Sequence, residues 1–263
     1  MKKTVLFFVL FAIFAESFAL AAEAQAVRYE WYCKHVKDHM QPPIDKRLEF
    51  IAEYDAYYLD SRHTDSNDED KVIYLTFDAG YENGNIEKTL DILRDENVPA
   101  AFFILQNLIA KNPDIVKRMV NEGHTVCNHT ARHKDVSGWQ DEAVMAELKA
   151  LEGFYFECIG TVMPKYYRPP EGVFSRENLA CLSQNGYKTI FWSFAYPDWD
   201  NNKQMTPEKA KGIILENLHN GEVMLLHPTS ETNVQVLADI IREAKNQGYR
   251  FATLDELTGV ETR

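Results

Sequence analysis

Ionisable side chains follow five of the apolar runs in this sequence, and their types suit the hydrolysis of a polar bond. They are Asp78, His129, His133, Arg168, Asp198 and His227. If the apolar runs are parallel strands, their carboxyl ends meet at one rim, where active sites of such sheets lie. We therefore expect these six side chains to converge on one site.

His129 and His133 are four residues apart, which lets two imidazoles face one point from a single turn. A divalent metal ion requires such convergence of its ligands. The alternative is a pair of ordinary surface or core histidines. The position of the pair directly after a strand, with a carboxylate on another strand, favours the metal site.

Asp78 is the candidate catalytic base, and Arg168 is the cation that would keep it ionised and oriented through a bidentate pair. Structural roles are the alternatives for both residues. An aspartate shortly before Gly80 is common in turns. Arg168 precedes two prolines, which by themselves make a rigid turn.

His227 ends an apolar strand, where a lone histidine is often only structural. With Asp198 to hold its ring and raise its pKa, it becomes a candidate general acid. Trp199 and Leu225 would form an apolar slot for a small acyl group. Cys127 would face the same side of its strand as His129, but a small buried hydrophobe is its expected role.

From Lys71 onward, apolar and β-branched runs alternate with helical patterns, and glycines close several of the helices. The predicted strands are 72–77, 100–105, 124–128, 165–168, 188–194, 222–226 and 250–254. Such alternation predicts an α/β fold with a parallel sheet, either open or closed into a barrel. Seven units favour the barrel.

Three segments are predicted along the chain. Residues 1–26 have a basic start, an eleven-residue apolar run and a small-x-small end, which is typical of a signal peptide; an uncleaved anchor is the alternative. Residues 27–70 read as an aromatic-rich arm that packs on the main domain without strand–helix alternation. Residues 71–263 form that domain.

The net charge of −12 and the absence of a Lys/Arg cluster exclude nucleic acid and anionic lipid as natural partners. A neutral glycan remains open. The four cysteines are too scattered for a disulfide framework, so either one bridge or free thiols are expected. Nothing in the sequence indicates an obligate protein partner.

Five segments occur in order that resemble the motifs of the polysaccharide deacetylase (NodB-homology) family, carbohydrate esterase family 4. They are Thr76–Gly80, His129–His133, Arg168–Gly172, Asp198-Trp199 and Leu225–His227. The resemblance covers about residues 71–257 and implies a distorted (β/α)7 barrel. It implies Asp78 as base, His129 and His133 as metal ligands and His227 as acid.

A narrower resemblance is to the delta-lactam-biosynthetic de-N-acetylases, carried by Tyr81–Gly84, Gln41–Pro43 and Tyr57-Tyr58. It implies removal of the N-acetyl group from muramic acid in peptidoglycan stripped of peptide by an upstream amidase, before lactam formation in spore cortex. We expect Tyr81, Asn83 and Pro170 to contact this glycan strand. The enzyme would then act outside the cytoplasm, at the cell wall or spore cortex.

Ala79 departs from the family pattern, because the first motif usually has a second, metal-ligating aspartate at this position. Two histidines hold a divalent ion weakly, so zinc or another divalent cation would need water, substrate or another side chain to complete its shell.

Two alternative functions remain open. One is deacetylation of N-acetylglucosamine in chitin or intact peptidoglycan, and the other is glycan binding without catalysis.

Overall fold

The computed structural model describes residues 26–63 and 69–260. The predicted signal peptide, apart from Ala26, and most of the acidic stretch 65–70 lie outside the described residues. No helix in the described ranges is long and apolar enough to cross a bilayer.

A mainly parallel sheet forms the centre of the structure. The described residues form ten strands, eight of them in this sheet and β1 and β7 in a separate pair. They are β1 Tyr29–Glu30, β2 Ala56–Tyr57, β3 Lys71–Ala79, β4 Ala101–Ile104, β5 Thr125–Asn128, β6 Tyr166–Tyr167, β7 Val173–Phe174, β8 Lys188–Ile190, β9 Glu222–Leu226 and β10 Tyr249–Phe251. The seven strands predicted from Lys71 onward correspond to β3, β4, β5, β6, β8, β9 and β10.

Helices follow most of these strands. They are α1 Asn85–Asp95, α2 Gln106–Lys111, α3 Pro113–Asn121, α4 Asp141–Ile159, α5 Arg176–Gln184, α6 Pro207–Asn217, α7 Glu231–Asn246 and α8 Leu254–Thr258, with 3₁₀ helices at Lys46–Tyr54 and Pro170–Gly172. Ser175, Thr206 and Ser230 cap α5, α6 and α7 by accepting a hydrogen bond from a first-turn amide.

The sheet curls into a barrel that does not close fully. β3 pairs in parallel with β4, β9 and β10, and the ladder continues through β5, β6 and β8. The segment after β8 does not continue the ladder to β9: it meets β9 through an isolated bridge between Phe194 and Met224 and through hydrogen bonds between Ser193 and Val223. The predicted distorted α/β barrel is confirmed.

The alternation of side chains along β3 aims Asp78 into the barrel. Val72 and Tyr74 lie in an interior cluster with Phe103 and Cys127. Ile73, Leu75, Phe77 and Ala79 belong instead to the larger cluster between the sheet and the helices. With a period of two, Asp78 shares the face of Val72 and Tyr74, at the carboxyl end of the barrel.

Cys127 is fully buried in that interior cluster, as expected of a small hydrophobe. All four cysteines are free thiols in the structure. Of the two alternatives left open by the sequence, the structure has the one without a bridge.

The arm contributes two strands that its sequence did not predict. β1 pairs antiparallel with β7, and β2 extends the main sheet by pairing in parallel with β8. Each strand has only two residues, which is too short to show a period of two. Trp31, Phe50 and Ile51 of the arm are buried against Phe174 and Phe191 of the barrel. The boundaries of the three segments remain predictions.

Gly221, directly before β9, contacts Asp60 of the arm, and its replacement tests that contact. Gly221→Ala is expected to lower the free energy of unfolding by about 3 kcal/mol, measured by urea denaturation. Its φ is +73°, and an added Cβ would lie 2.5 Å from the carbonyl oxygen of Asp60.

The matched control is Gly248→Ala, at a φ of +89° with no atom within 4 Å of the added Cβ. Gly248→Ala should lower the free energy of unfolding by about 1 kcal/mol, which is the cost of a positive φ for a residue with a Cβ. Equal losses in the two variants would show that the close approach to Asp60 costs nothing.

Candidate active site

A cavity of about 830 Å³ opens at the carboxyl ends of the barrel strands. Its lining residues are Asp78, Ala79, Gly80, Tyr81, Leu105, His129, His133, Glu171, Trp192, Ala195, Tyr196, Trp199, Leu225, His227 and Thr229. The structure thus brings together most of the residues that the sequence predicted, from the ends of β3, β5 and β9 and the segment after β8.

Asp78 and Arg168 form an ion pair beneath the cavity. Nη1 of fully buried Arg168 donates to Oδ1 of Asp78 at 2.8 Å. The predicted bidentate pair is wrong, because Nε and Nη2 bond other acceptors. Burial by itself raises the pKa of Asp78, but Arg168, His129 and His227 outweigh it, so the pKa lies below its ordinary value. Asp78 is therefore a carboxylate at neutral pH.

Arg168 is held rigidly by neutral acceptors. Its Nε donates to the carbonyl of Ile190 at 2.9 Å, and its Nη2 donates to Oγ1 of Thr76 at 2.9 Å. The guanidinium also lies 4.1 Å from the ring centre of Phe103, as in a cation–π contact. These contacts leave the arginine one orientation, and that orientation points Nη1 at Asp78.

His129 presents Nε2 to the site in a defined tautomer. Its Nδ1 lies 2.8 Å from the carbonyl of Arg168, which can only accept, so the proton is on Nδ1. Burial lowers the pKa of His129 to about 4, so the ring is neutral at neutral pH. The lone pair of Nε2 then faces Oδ2 of Asp78 at 3.5 Å.

The loop that carries His133 is strained and anchored. His133 and Thr130 have φ values of +54° and +69°, which are costly for residues other than glycine. Thr130 Oγ1 accepts from the amide of His133 at 2.9 Å, and buried Glu147 on α4 accepts from the amide and guanidinium of Arg132. The rings of His129 and His133 are consequently 5.0 Å apart.

Asp78, His129 and His133 fit a divalent cation in part. Two electron-rich atoms, Nε2 of His129 and Oδ2 of Asp78, face each other, an arrangement that a shared cation stabilises. His133 is the second nitrogen donor. However, no group of three His, Cys, Asp or Glu in the described ranges is arranged to hold a metal ion. Ala79, which lines the cavity, supplies no donor.

His227 and Asp198 form a second polar pair at the cavity. Nδ1 of His227 donates to Oδ1 of Asp198 at 2.7 Å, and the amide of His227 donates to Oδ2 at the same distance. Burial lowers the pKa of His227, but Asp198 and then Asp78 outweigh it, so the pKa is raised. Asn233 supports the pair by donating to Oδ2 of Asp198 at 2.6 Å.

The predicted substrate contacts divide into two groups. Trp199, Tyr81 and Leu225 line the cavity, and the exposed Trp199 ring lies 6.5 Å from His227. Asn83 and Pro170 do not line it. Asn83 donates to the carbonyl of Thr229 at 2.8 Å, and this bond links the loop before α1 to the segment after β9. Pro170 is buried in the turn before β7.

Sequence reasoning missed several residues of the site. Thr76 bonds Arg168, and its place in the first motif was a usable signal. Asn233 bonds Asp198 from inside α7, where no local pattern marks it. Glu171 lines the cavity at a φ of +57°. Its place beside Pro170 in the third motif was a usable signal. Trp192 lies inside the predicted strand 188–194, and Ala195 and Tyr196 directly follow it, so their place at a strand end was a usable signal.

Comparison with known proteins gives concordant matches. A family model described as polysaccharide deacetylase matches residues 65–190. The peptidoglycan-N-acetylmuramic acid deacetylase PdaA of Bacillus subtilis is 37% identical over 241 residues, covering 90% of this chain and 89% of that protein. A peptidoglycan-N-acetylglucosamine deacetylase of Bacillus cereus is 33% identical, covering 72% and 88%.

The solved structure of Bacillus subtilis PdaA, a family 4 carbohydrate esterase, superposes with a TM-score of 0.82. It is 35% identical in sequence, and the match covers 88% of this chain and 97% of that one.

Proposed function

The chain belongs to the polysaccharide deacetylase family, and we propose that it removes the N-acetyl group from N-acetylmuramic acid in peptide-stripped peptidoglycan. The observation that carries this proposal is the pairing of two proton-handling units across one cavity: Asp78 with Arg168, and His227 with Asp198. The similarity to a deacetylase of that substrate over most of both chains supports it.

Asp78 is the proposed base. Its Oδ1 is occupied by Arg168, so Oδ2 is the oxygen that takes the proton of the attacking water. A carboxylate with a lowered pKa is a weak base, but buried Arg168 holds it ionised and fixed in one orientation. Such pre-organisation is worth more than basicity when the reacting groups are held at contact distance.

His227 is the proposed acid. Because Asp198 accepts from Nδ1, the second proton of the imidazolium is on Nε2, which is free to protonate the leaving nitrogen. Asp198 raises the pKa of His227 against the effect of burial, which favours the protonated ring. Trp199 and Leu225 would shield the acetyl group from water.

A divalent metal ion is the cofactor of the family, and His129 and His133 are the residues that would hold it here. When bound, it would polarise the acetyl carbonyl. We propose that zinc or another divalent cation binds weakly, because Ala79 leaves the shell to be completed by water or substrate.

The biological setting is part of the proposal. An exported enzyme, targeted by residues 1–26, would act at the cell wall or spore cortex after an amidase has removed the peptide. The amine that it frees would close on the lactyl carboxyl as muramic delta-lactam. Within this sequence of events, the name of the similar PdaA supports N-acetylmuramic acid in peptidoglycan as the substrate.

Asp198→Asn tests the acid assignment through pH. Activity that needs protonated His227 is lost as the pH rises through the pKa of that ring. Asp198 raises this pKa against the effect of burial, so its replacement should move the alkaline limb of kcat/KM to lower pH by about one unit or more. If the alkaline limb of kcat/KM stays at the same pH in Asp198→Asn, the limb reports the titration of a group other than His227.

N-acetylglucosamine deacetylation is the second candidate, and Glu171 favours it. This carboxylate lines the cavity and has no hydrogen bond or ion pair within residues 26–63 and 69–260. It would repel the free lactyl carboxylate of peptide-stripped muramic acid. Glu171→Gln should then raise kcat/KM on peptide-free peptidoglycan and leave chitin oligomers unaffected. An equal effect on both substrates would remove this argument.

The deciding experiment compares substrates. Protein spanning residues 27–263 is incubated with peptidoglycan before and after amidase digestion and with chitin oligomers, each with added zinc, with added manganese and with a chelator. Mass spectrometry then follows the loss of acetyl groups. Deacetylation of muramic acid only after amidase digestion supports the proposal. Equal processing of peptide-bearing glycan supports the second candidate, and intact acetyl groups throughout support a binding protein.

A further inference from the structure

Trp31 of the arm lies behind two segments that line the catalytic cavity. One is the turn 170–172, and the other is the segment 192–196 after β8. The amide of Trp31 donates to the carbonyl of Gly172 at 2.8 Å. Its indole Nε1 donates to the carbonyl of Trp192 at 2.9 Å. One residue therefore bonds the backbones of both segments.

The packing around Trp31 leaves little room for adjustment. Its ring is buried and stacks on Phe191 with ring centres 4.5 Å apart and an angle of 22°. A Cβ added to Gly172 would lie 2.9 Å from Cη2 of Trp192 and 3.0 Å from Cβ of Trp31. The three residues are in close contact, so a shift of the indole is passed to both segments.

Both segments carry groups of the site. Glu171 lines the cavity from the turn, and Trp192 and Ala195 line it from the other segment. The carbonyls of Ile190 and Phe191, immediately before Trp192, accept from the buried guanidinium of Arg168 at 2.9 and 3.3 Å. Trp31 thus bonds the backbone of Trp192, which lines the cavity itself, and of Gly172, which directly follows Glu171.

We propose that Trp31 is a positioning residue that sets the separation of the turn 170–172 and the segment 192–196, and with it the fit of the sugar. It does not touch the cavity itself. The inference rests on the proposed deacetylase activity for its kinetic readout, but its structural readout is independent of activity.

Trp31→Phe keeps an aromatic ring for Phe191 and removes the indole donor to Trp192. We expect a rise in KM that lowers kcat/KM about tenfold while kcat changes little, because ground-state and transition-state binding weaken together. Gly172→Ala, which forces the same segments apart from the other side, should change KM in the same direction.

Phe50→Leu is the matched control, since Phe50 belongs to the same buried aromatic cluster but does not line the cavity. It should destabilise the arm without changing KM. Hydrogen exchange gives the second readout. The amides of Ser193 and Phe194, which bond the carbonyl of Val223, should exchange about tenfold faster in Trp31→Phe and at the wild-type rate in Phe50→Leu.

Unchanged exchange at 193–194 in Trp31→Phe would overturn the inference, as would a KM equal to that of Phe50→Leu in an active enzyme. A wild-type protein that releases no acetate would defeat the proposed function instead. In that case the exchange rates alone decide whether Trp31 positions the segment.

Discussion

Asp78→Asn should lower kcat/KM by about 10³-fold or more, because the variant has no group to accept the proton of the attacking water. Asparagine keeps an oxygen for Nη1 of Arg168, so the geometry around the guanidinium survives. The measurement is the rate of acetate release at saturating and limiting substrate. A kcat within tenfold of the wild-type value would remove Asp78 from the mechanism.

Stability has to be measured on the same variant. Arg168 is fully buried, and Asp78 is its counter-charge. Loss of the Asp78 charge should lower the free energy of unfolding by up to about 3 kcal/mol. The loss stays within this range because Thr76 and Ile190 still accept hydrogen bonds from the guanidinium. Assays are therefore made well below the melting temperature, with circular dichroism to verify folding.

Asp60→Asn is the matched control for Asp78→Asn. Asp60 is also a buried carboxylate, bonded by Arg62 at 2.6 Å and by the hydroxyl of Tyr74 at 2.6 Å, but it does not line the cavity. The control should lose stability and keep its kcat. A comparable fall in kcat would show that the loss in Asp78→Asn comes from general destabilisation.

His227→Gln should lower kcat for N-acetyl substrates by about 10²- to 10⁴-fold, the range typical of a lost general acid. The physical reason is that an amide nitrogen leaves only when it is protonated. An aryl acetate has a leaving group that needs no proton, so it serves as an internal control in the same variant.

On an aryl acetate, His227→Gln should keep its rate to within about tenfold of the wild-type enzyme. Equal losses on the amide and the aryl ester would contradict the acid role. They would indicate that His227 acts before the leaving group departs, for example in orienting the water.

The sequence predicted the parts of the molecule that depend on local pattern. The strand from Lys71 is a continuous buried run from Val72 to Phe77, as expected of a parallel strand covered on both faces, and α7 buries Leu237, Ile240 and Ile241 at helical spacing. Since parallel strands end at a common rim, the placement of Asp78 and His227 followed from strand ends alone. Their roles as base and acid remain predictions.

Contacts between distant segments could not be predicted. Asn233 bonds Asp198 from a helix 35 positions later, and Thr76 lies 92 positions from Arg168. No local sequence pattern indicates a pairing over such a separation. The short strand β2 is fixed by its partner β8 rather than by its own pattern.

Two expected substrate contacts show a different limit. Asn83 and Pro170 belong to sequence motifs, and a motif does not say which of its members face the ligand. In the structure, Asn83 donates to the carbonyl of the cavity-lining Thr229 but does not line the cavity itself, and its contact with substrate remains a prediction. Glu171, the neighbour of Pro170, is the residue of that turn that lines it.

The most direct test of the central claim is acetate release from amidase-treated peptidoglycan by folded wild-type protein and by folded Asp78→Asn, measured side by side. We expect the wild-type protein to release many equivalents of acetate per enzyme molecule and the variant to remain at background. Absence of acetate from the wild-type protein with added divalent metal would contradict the claim, and so would equal release by the two proteins.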